Sequence, residues 1–323
     1  MSPSLQALLA QDTSTIAATL GLDGSTARIE AQCLLQHVLK VSRAWLLAHG
    51  ERCLNADEQA QYQALLKRRL QGEPIAYILG EREFFGLNLR VTPATLIPRP
   101  DTELLVELAL ERIPKALSRP VGHPLPARST PEGAPQLHCD PSAVPHAGEG
   151  LGEREACHVL DLGTGSGAIA LAIAHARPAV SVTAVDASPA ALQVAQGNAR
   201  ALALNNVAFV QGHWFGALGG RQFEVIVSNP PYIAAADPHL AQGDVRFEPQ
   251  SALVSGMDGL DDLRSIVAQA SAHLRPGGWL LLEHGYEQAA AVRALLRTAG
   301  LAEVFSARDL AGIERVSGGC RHP

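Results

Sequence analysis

The sequence predicts an α/β protein in which a small helical bundle precedes a doubly wound sheet. From Cys157 onward, short apolar runs that end in polar or glycine residues alternate with helical stretches. This alternation is typical of a sheet whose strands are joined by helices on both faces. Earlier in the chain, Ala31, Leu34, Leu35 and Val38 follow helical spacing and indicate the apolar stripe of a bundle.

Within the first part of the chain, residues 55–58 (Asn-Ala-Asp-Glu) have the form of a capping box, and the helix they begin extends to Gly72, with Pro74 beyond. The run EREFFGLNLRV that follows predicts a short β-hairpin. We therefore expect three parts: a helical domain over residues 1–82, a hairpin linker over 83–99 and a larger domain over 100–323.

A proline-rich insert interrupts the larger domain at about residues 114–155. It holds eight of the chain's 21 prolines and has little apolar periodicity, so we interpret it as a flexible linker or surface excursion. Its histidines lack the tight spacing of metal ligands, and the five cysteines of the chain include no C-x-x-C pair. We expect no metal site and reduced thiols.

The bulk composition narrows the class of protein. The 323 residues are 47% hydrophobic and 18% charged, which suits about two domains with proper cores. The net charge of −6 argues against a broad, sequence-independent nucleic-acid surface. The first residues lack the pattern of a signal peptide, and no apolar run reaches about 18 residues. We expect a cytoplasmic, monomeric protein that binds neither membranes nor nucleic acid directly.

Five apolar runs predict strands in chain order: HVLDLG, VSVTAVD, VAFVQG, FEVIVSN and WLLLEHG. A helix follows the second run, with Ser188 as its N-cap and Pro189 at its first position. Ligands of such sheets bind at the carboxyl ends of the strands. The residues that follow each run are therefore the candidates for a site.

The first candidate is the glycine-rich turn DLGTGSG, Asp161 to Gly167, between the first strand and a helix. Its glycines let the backbone approach a ligand, and the helix N-terminus offers N–H groups. Such a turn occurs in binders of nicotinamide, flavin and S-adenosylmethionine, but the G-x-G-x-G spacing disfavours a nicotinamide dehydrogenase. Asp186 ends the second strand, where its carboxylate could accept from ribose hydroxyls or serve as an N-terminal helix acid beside Ser188. Trp214, after the third strand, could stack on an adenine or belong to the core.

The fourth strand ends in the motif Asn229-Pro230-Pro231-Tyr232. A planar amide or amino nitrogen is a poor nucleophile because its lone pair is delocalised. The Asn229 Oδ1 atom and the Pro230 carbonyl can each accept one N–H of such a group, and Tyr232 can stack on it. The two prolines stiffen the arm, so that positioning the nitrogen loses little entropy. The motif predicts methyl transfer to a planar nitrogen.

These segments, and others around them, resemble the HemK/PrmC family of S-adenosylmethionine-dependent methyltransferases. The segments that carry the resemblance are EPIAYILG, EFFG, IPRPDTE, DLGTGSGAIALA, AVDASPAALQVAQGNA, VSNPPYI, the run from Glu248-Pro249 to Leu260, LRPGGWLLLEHG and DLAGIERV. The resemblance implies methylation of N5 of the glutamine in the GGQ motif of peptide chain release factors. It also implies a Rossmann-like class I methyltransferase fold with a mixed seven-stranded sheet.

The resemblance further implies roles for single residues. Cofactor contacts are implied for Gly163, Thr164, Gly165, Ser166, Gly167, Asp186, Trp214 and Asn229. Substrate binding is implied for Asn229, Pro230, Pro231 and Tyr232, with Asn229 and Pro230 as the catalytic pair. The N-terminal bundle would help to dock a release factor. Arg99 and Glu103 would either line the site or form a salt bridge at a helix start, and His213 stands where such proteins often carry an acid.

Other functions stay open at this point. The NPPY motif is also compatible with a ribosomal-protein glutamine methyltransferase and with a nucleic-acid amino-group methyltransferase of the adenine N6 type. The net negative charge, which argues against a broad basic surface, counts against the nucleic-acid methyltransferase. A non-enzymatic cofactor-binding scaffold is disfavoured because the glycine turn, Asp186 and NPPY occur together.

Overall fold

A computed structural model describes residues 3–113 and 157–323. The predicted proline-rich insert, at about 114–155, lies outside these residues.

The N-terminal part is a bundle of five helices. They are α1 (Leu5–Leu20), α2 (Gly24–Leu39), α3 (Arg43–Ala48), α4 (Ala56–Leu70) and α5 (Ile75–Leu79). The predicted apolar stripe packs into its core, where Ala31, Leu34 and Leu35 are fully buried. The capping box at the start of α4 is confirmed: the Glu58 N–H donates to Asn55 Oδ1 at 2.8 Å, and the Asn55 N–H donates back to Glu58 Oε2 at 3.0 Å.

A two-stranded hairpin connects the bundle to the sheet. It consists of β1 (Glu81–Phe84) and β2 (Leu87–Arg90), so it starts two residues before the predicted linker. An extended stretch follows it, and a 3-10 turn (Pro100–Thr102) then leads into α6 (Glu103–Arg112).

The remaining strands form one mixed seven-stranded sheet, as predicted. The strands are β3 (His158–Leu162), β4 (Ser181–Asp186), β5 (Val207–Gln211), β6 (Phe223–Ser228), β7 (Leu274–Glu283), β8 (Ala302–Arg308) and β9 (Glu314–Cys320). Their order is β5-β4-β3-β6-β7-β9-β8. The first five of these are parallel, and β9 is antiparallel to both of its neighbours.

Helices cover both faces of the sheet. They are α7 (Ala168–Ala176), α8 (Pro189–Ala201), α9 (Asp261–His273) and α10 (Ala289–Thr298), in addition to α6. Alternate residues of a strand point to opposite faces. Val159 of β3 accordingly packs in a core with α6 and α7, whereas Leu160 packs in a second core with α9 and α10.

The parallel strands give the sheet two distinct edges. We call the edge where β3 to β7 end the carboxyl edge, and the opposite one the amino edge. Helix α6 ends toward the amino edge, where the Arg112 guanidinium stacks over the Trp279 ring at 4.5 Å. Trp279 is level with Val225 of β6, which pairs with Val159, the second residue of β3.

Among the helices of the described residues, none has the length and apolar character that a membrane crossing requires.

Candidate active site

The residues predicted from the strand ends meet in one cavity at the carboxyl edge. The cavity has a volume of about 270 Å³. Eight predicted residues line it: Gly163, Thr164, Gly165, Ser166, Asp186, Trp214, Asn229 and Pro231. Gly167, Pro230 and Tyr232 adjoin these residues in sequence and do not line the cavity.

The glycine turn after β3 has a left-handed backbone at each glycine. The φ angles are 74° at Gly163, 56° at Gly165 and 88° at Gly167, a region that favours glycine. A Cβ atom at Gly163 would lie 3.3 Å from the Trp214 ring, and one at Gly167 would lie 3.0 Å from Leu171. A Cβ at Gly165 would meet no atom within 4 Å, so the backbone there borders open space.

Asp161 holds this turn from below. Its buried carboxylate accepts hydrogen bonds from the Thr164 hydroxyl at 2.7 Å and from the Ala170 N–H at 3.1 Å. Burial raises the pKa of Asp161 to about 7, against the lowering effect of these two donors. Asp161 therefore shapes the cavity without lining it.

Asp186 serves two local hydrogen bonds at the end of β4. Its Oδ2 atom accepts from the Gly165 N–H and its Oδ1 atom from the Ser188 N–H, each at 2.8 Å. The second bond matches the predicted role at a helix start, and Ser188 caps α8 as predicted. Each carboxylate oxygen keeps a further lone pair, so Asp186 can also accept from a ligand in the cavity.

Trp214 belongs to the core and also lies at the wall of the cavity. It is 8% exposed and packs in the core with α9, and its ring also borders the cavity beneath Gly163. Its indole N–H donates to Asp262 Oδ1 at 3.3 Å. Asp262 and His213 line the same cavity, so an acid does lie there, contributed by α9.

The Asn229 side chain points into the cavity from the end of β6. Its Nδ2 atom donates to the Thr102 hydroxyl at 3.2 Å. Within the described residues, no hydrogen bond reaches the Asn229 Oδ1 atom or the Pro230 carbonyl. Both oxygens therefore keep their capacity to accept from a ligand.

Tyr232 is fixed in place from two sides. The Gln288 side chain donates to the Tyr232 carbonyl at 3.0 Å and to the Gly259 carbonyl at 3.2 Å. The Tyr232 hydroxyl donates to Glu283 Oε1 at 3.5 Å. A Cβ atom at Gly259 would lie 2.3 Å from the Tyr232 carbonyl oxygen, so only glycine fits there. The arm that follows β6 is therefore rigid beyond its two prolines.

Arg99 and Glu103 do not form a salt bridge with each other. Arg99 lines the cavity and pairs with the buried carboxylate of Glu248, which also accepts from the Ile97 N–H at 3.0 Å. Glu103 accepts from the Phe85 N–H at 2.9 Å. Glu248 thus attaches the segment before α6 to the loop that follows NPPY.

Sequence reasoning missed several residues that build the site. Asn198 of α8 donates to the Ser166 and Arg90 carbonyls at 2.8 and 3.0 Å, and so joins the glycine turn to the hairpin. Tyr77 of α5 donates to the carbonyl of Thr95, a lining residue, at 2.6 Å. Thr102 and Glu248 lie in segments that carry the family resemblance, but the sequence assigned them no role, because their partners are more than a hundred positions away.

Comparison with known proteins assigns the family. Residues 16–80 match the PrmC N-terminal domain, and residues 149–245 match the methyltransferase small domain. The release factor glutamine methyltransferase of Xylella fastidiosa (strain Temecula1) is 49% identical over 292 residues, which cover 90% of this chain and 92% of that protein. The release factor glutamine methyltransferase of Escherichia coli (strain K12) is 46% identical over 290 residues, with 90% and 91% covered.

A solved structure agrees with the fold. The hMettl16 catalytic domain, in complex with the MAT2A 3'UTR hairpin 6, aligns with a TM-score of 0.51 at 15% identity, over 80% of this chain and 84% of that chain. This similarity concerns the fold alone. Because the two sequence relatives match almost the whole chain at much higher identity, this chain belongs to the family of release factor glutamine methyltransferases.

Proposed function

We propose that this chain transfers the methyl group of S-adenosylmethionine to N5 of the glutamine in the GGQ motif of peptide chain release factors, in the cytoplasm. The observation that carries the proposal is the Asn229 side chain, which lines the cavity at the carboxyl edge with its Oδ1 atom available as an acceptor. The family membership supports the choice of glutamine as the target.

The cavity fits the cofactor. S-adenosylmethionine supplies an electrophilic methyl group when it is bound. The open space beside Gly165 allows close approach to the backbone, and Asp186 offers carboxylate lone pairs for ribose hydroxyls. The Trp214 ring forms an apolar wall beside them that suits an adenine. We assign Gly163 to Gly167, Asp186, Trp214 and Asn229 to cofactor binding.

The NPPY residues would orient the glutamine side chain. Asn229 Oδ1 and the Pro230 carbonyl would each accept a hydrogen bond from one N–H of the glutamine amide. These two bonds direct the nitrogen lone pair toward the cofactor. Acceptors placed in advance also stabilise the positive charge that develops on the nitrogen. Pro231 lines the cavity and would lie beside the glutamine, and we assign Tyr232 to stack on the planar amide of that glutamine. The methylated nitrogen is acidic, so it loses its proton without a strong general base.

We further propose a division of labour along the chain. Residues 1–82 would dock the release factor, residues 83–99 would join the two folded parts, and residues 100–323 would carry the transfer reaction. The contacts of Tyr77 and Glu248 support this division, because each attaches the connecting segment to one side. We expect the enzyme to act as a monomer.

The first prediction concerns the two acceptors for the substrate amide, Asn229 Oδ1 and the Pro230 carbonyl, which we call the amide clamp. Replacement of Asn229 by alanine removes the acceptor for the substrate N–H, so we expect turnover to fall by at least about 100-fold. Cofactor affinity should change much less, because the glycine turn and Asp186 are intact. Single-turnover methylation and calorimetric titration with S-adenosylmethionine measure the two effects. Normal turnover of the variant would overturn the clamp.

A substrate panel separates the candidate functions. Purified release factor, ribosomal proteins, RNA and DNA are incubated with labelled S-adenosylmethionine, and mass spectrometry locates the methyl group. We expect labelling of release factor at the GGQ glutamine, and none after that glutamine is changed to alanine. Preferential labelling of a ribosomal protein or an adenine would refute the proposed substrate.

A further inference from the structure

Glu283 is a buried carboxyl group at the carboxyl edge to which the proposed reaction gives no role. It ends β7, beside the end of β6 that carries NPPY, and it is 2% exposed. Its Oε1 atom accepts from the Tyr232 hydroxyl at 3.5 Å, and within the described residues its Oε2 atom has no hydrogen-bond partner. A buried carboxyl with a free acceptor is unfavourable unless nearby donors use it.

Asn229 lies next to this carboxyl, because its neighbour Ser228 pairs with Leu282 across β6 and β7, and Thr102 contacts Asn229. The polar groups of Thr102 and Asn229 both lower the pKa of Glu283, against the larger raising effect of burial, although the Tyr232 hydroxyl is the donor seen to bond to this carboxyl within the described residues. The Thr102 hydroxyl oxygen also accepts a hydrogen bond from Asn229 Nδ2 at 3.2 Å. The three side chains therefore form one polar cluster within the apolar surroundings of β6 and β7.

The direction of hydrogen bonding in this cluster depends on Glu283. A hydroxyl can donate or accept, so Thr102 alone does not determine which end of the Asn229 amide faces it. An ionised carboxylate only accepts. A Thr102 hydroxyl that turns its hydrogen toward such a carboxylate has its oxygen left to accept from Asn229 Nδ2, as it does at 3.2 Å, and this arrangement turns Oδ1 toward the cavity.

We propose that Glu283 is a positioning residue for methyl transfer: through Thr102 and directly, its carboxylate sets the orientation of the Asn229 amide so that Oδ1 faces the substrate. Glu283 also accepts a hydrogen bond from the Tyr232 hydroxyl and so restrains the tyrosine of the NPPY motif. The inference rests on the proposed function, because orientation matters only when Oδ1 accepts an N–H from the substrate.

Protonation of Glu283 would reverse the chain of donors. A protonated carboxyl can donate to Thr102, whose hydroxyl then donates to the amide and attracts its oxygen away from the cavity. Burial raises the pKa of Glu283 to about 7, so both forms exist near neutral pH. The other charged groups that face it are Arg315 of β9, which lowers this pKa, and Asp101 of the 3-10 turn, which raises it.

The second prediction tests this role with substitutions of nearly equal shape. In Glu283→Gln the carboxylate becomes an amide that both donates and accepts, and in Thr102→Val the hydroxyl is lost. We expect each to lower kcat by about 10- to 100-fold, because the acceptor is misoriented in part of the molecules. Thr102→Ser keeps the hydroxyl and should retain most of the activity. Glu314→Gln is the matched control. Glu314 begins the neighbouring strand β9 and pairs with Arg293 of α10, away from Asn229.

The pH profile distinguishes positioning from general damage to the fold. With saturating cofactor, the wild-type kcat should rise through about pH 7 as Glu283 ionises, and Glu283→Gln should lack this rise. Cofactor affinity should stay within about threefold of wild type in every variant. A Glu283→Gln enzyme with wild-type kcat and an unchanged profile would overturn the inference. If the wild-type enzyme methylates no release factor, the proposed function itself fails, and the two failures are thereby distinguished.

Discussion

At the scale of single residues, Asp161 and Glu283 form a pair of buried carboxyl groups at the ends of β3 and β7. Burial raises the pKa of each to about 7. A carboxyl whose pKa is higher in the folded than in the unfolded chain binds more protons when folded. The free energy of unfolding therefore falls as the pH rises between the two pKa values.

The third prediction follows for Glu283→Gln. As the pH rises from 4.5, the ordinary pKa of the group, to about 7, the free energy of unfolding of the wild-type protein should fall. The variant should not show the part of this fall that comes from Glu283. The variant should thus gain up to about 3 kcal/mol over the wild type at pH 8, and much less at pH 5. Urea denaturation at the two pH values measures the difference. An equal difference at both values would contradict the raised pKa.

The residues that sequence reasoning found are those carried by a contiguous motif at a strand end. NPPY, the glycine turn and Asp186 each follow an apolar run, and parallel strands bring them to the same edge. Thr102 and Glu248 act across 127 and 151 positions, and no local pattern reports such a contact. Glu283 had a local signal, since it is an acid that ends an otherwise apolar run.

At the scale of elements, the glycine turn between β3 and α7 fits closely around Trp214. A side chain at Gly163 would need a left-handed backbone and would also press on the indole ring at 3.3 Å. The turn and the indole share one wall of the cavity, so movement of either changes the proposed cofactor site.

The fourth prediction is that Gly163→Ala weakens cofactor binding about tenfold or more. The left-handed conformation alone adds about 1–2 kcal/mol for alanine, which corresponds to about a tenfold change if the turn shifts to relieve it. Gly197→Ala is the control, because Gly197 lies within α8 and a Cβ there would meet no atom within 4 Å. Calorimetric titration with S-adenosylmethionine compares the two. Equal affinities would show that the turn tolerates a side chain.

The strands differ in how well the sequence predicted them. The five parallel strands were predicted from apolar runs and are confirmed. Strands β8 and β9 were expected only from the family resemblance, because β9 contains Gly318 and Gly319, which give a weak strand pattern. Packing explains one of these glycines: a Cβ at Gly318 would lie 2.6 Å from the Leu281 side chain.

At the scale of the whole molecule, Arg69 joins the N-terminal bundle to the loop that follows NPPY. It is 3% exposed and donates to both carboxylate oxygens of Glu30 in α2, at 2.7 and 3.0 Å. Its Nη1 atom donates to Asp244 at 2.9 Å. A Cβ at Gly72 would lie 1.9 Å from the Arg246 guanidinium, so the end of the bundle also packs closely on this loop.

The fifth prediction separates the two ion pairs of Arg69. Arg69→Ala leaves Glu30 buried without its partner and should lower the free energy of unfolding by about 3–5 kcal/mol. Asp244→Asn removes a partner whose side chain is 39% exposed, and should lower it by about 1 kcal/mol or less. Urea denaturation of both variants measures this. Losses of similar size would mean that the contact between the domains, and not the pair within the bundle, dominates.

The connection between α6 and β3, residues 114–156, lies outside the described residues, but both of its neighbouring elements are described. Helix α6 ends near Trp279, and β3 begins beside it, so both ends of the connection lie at the amino edge. The cavity proposed for methyl transfer lies at the opposite edge of the sheet. Because both attachment points lie away from the cavity, we expect a change of length between them to leave the lining residues in place. An engineer can use the same location for a fluorophore or an affinity handle that reports on the enzyme while it works.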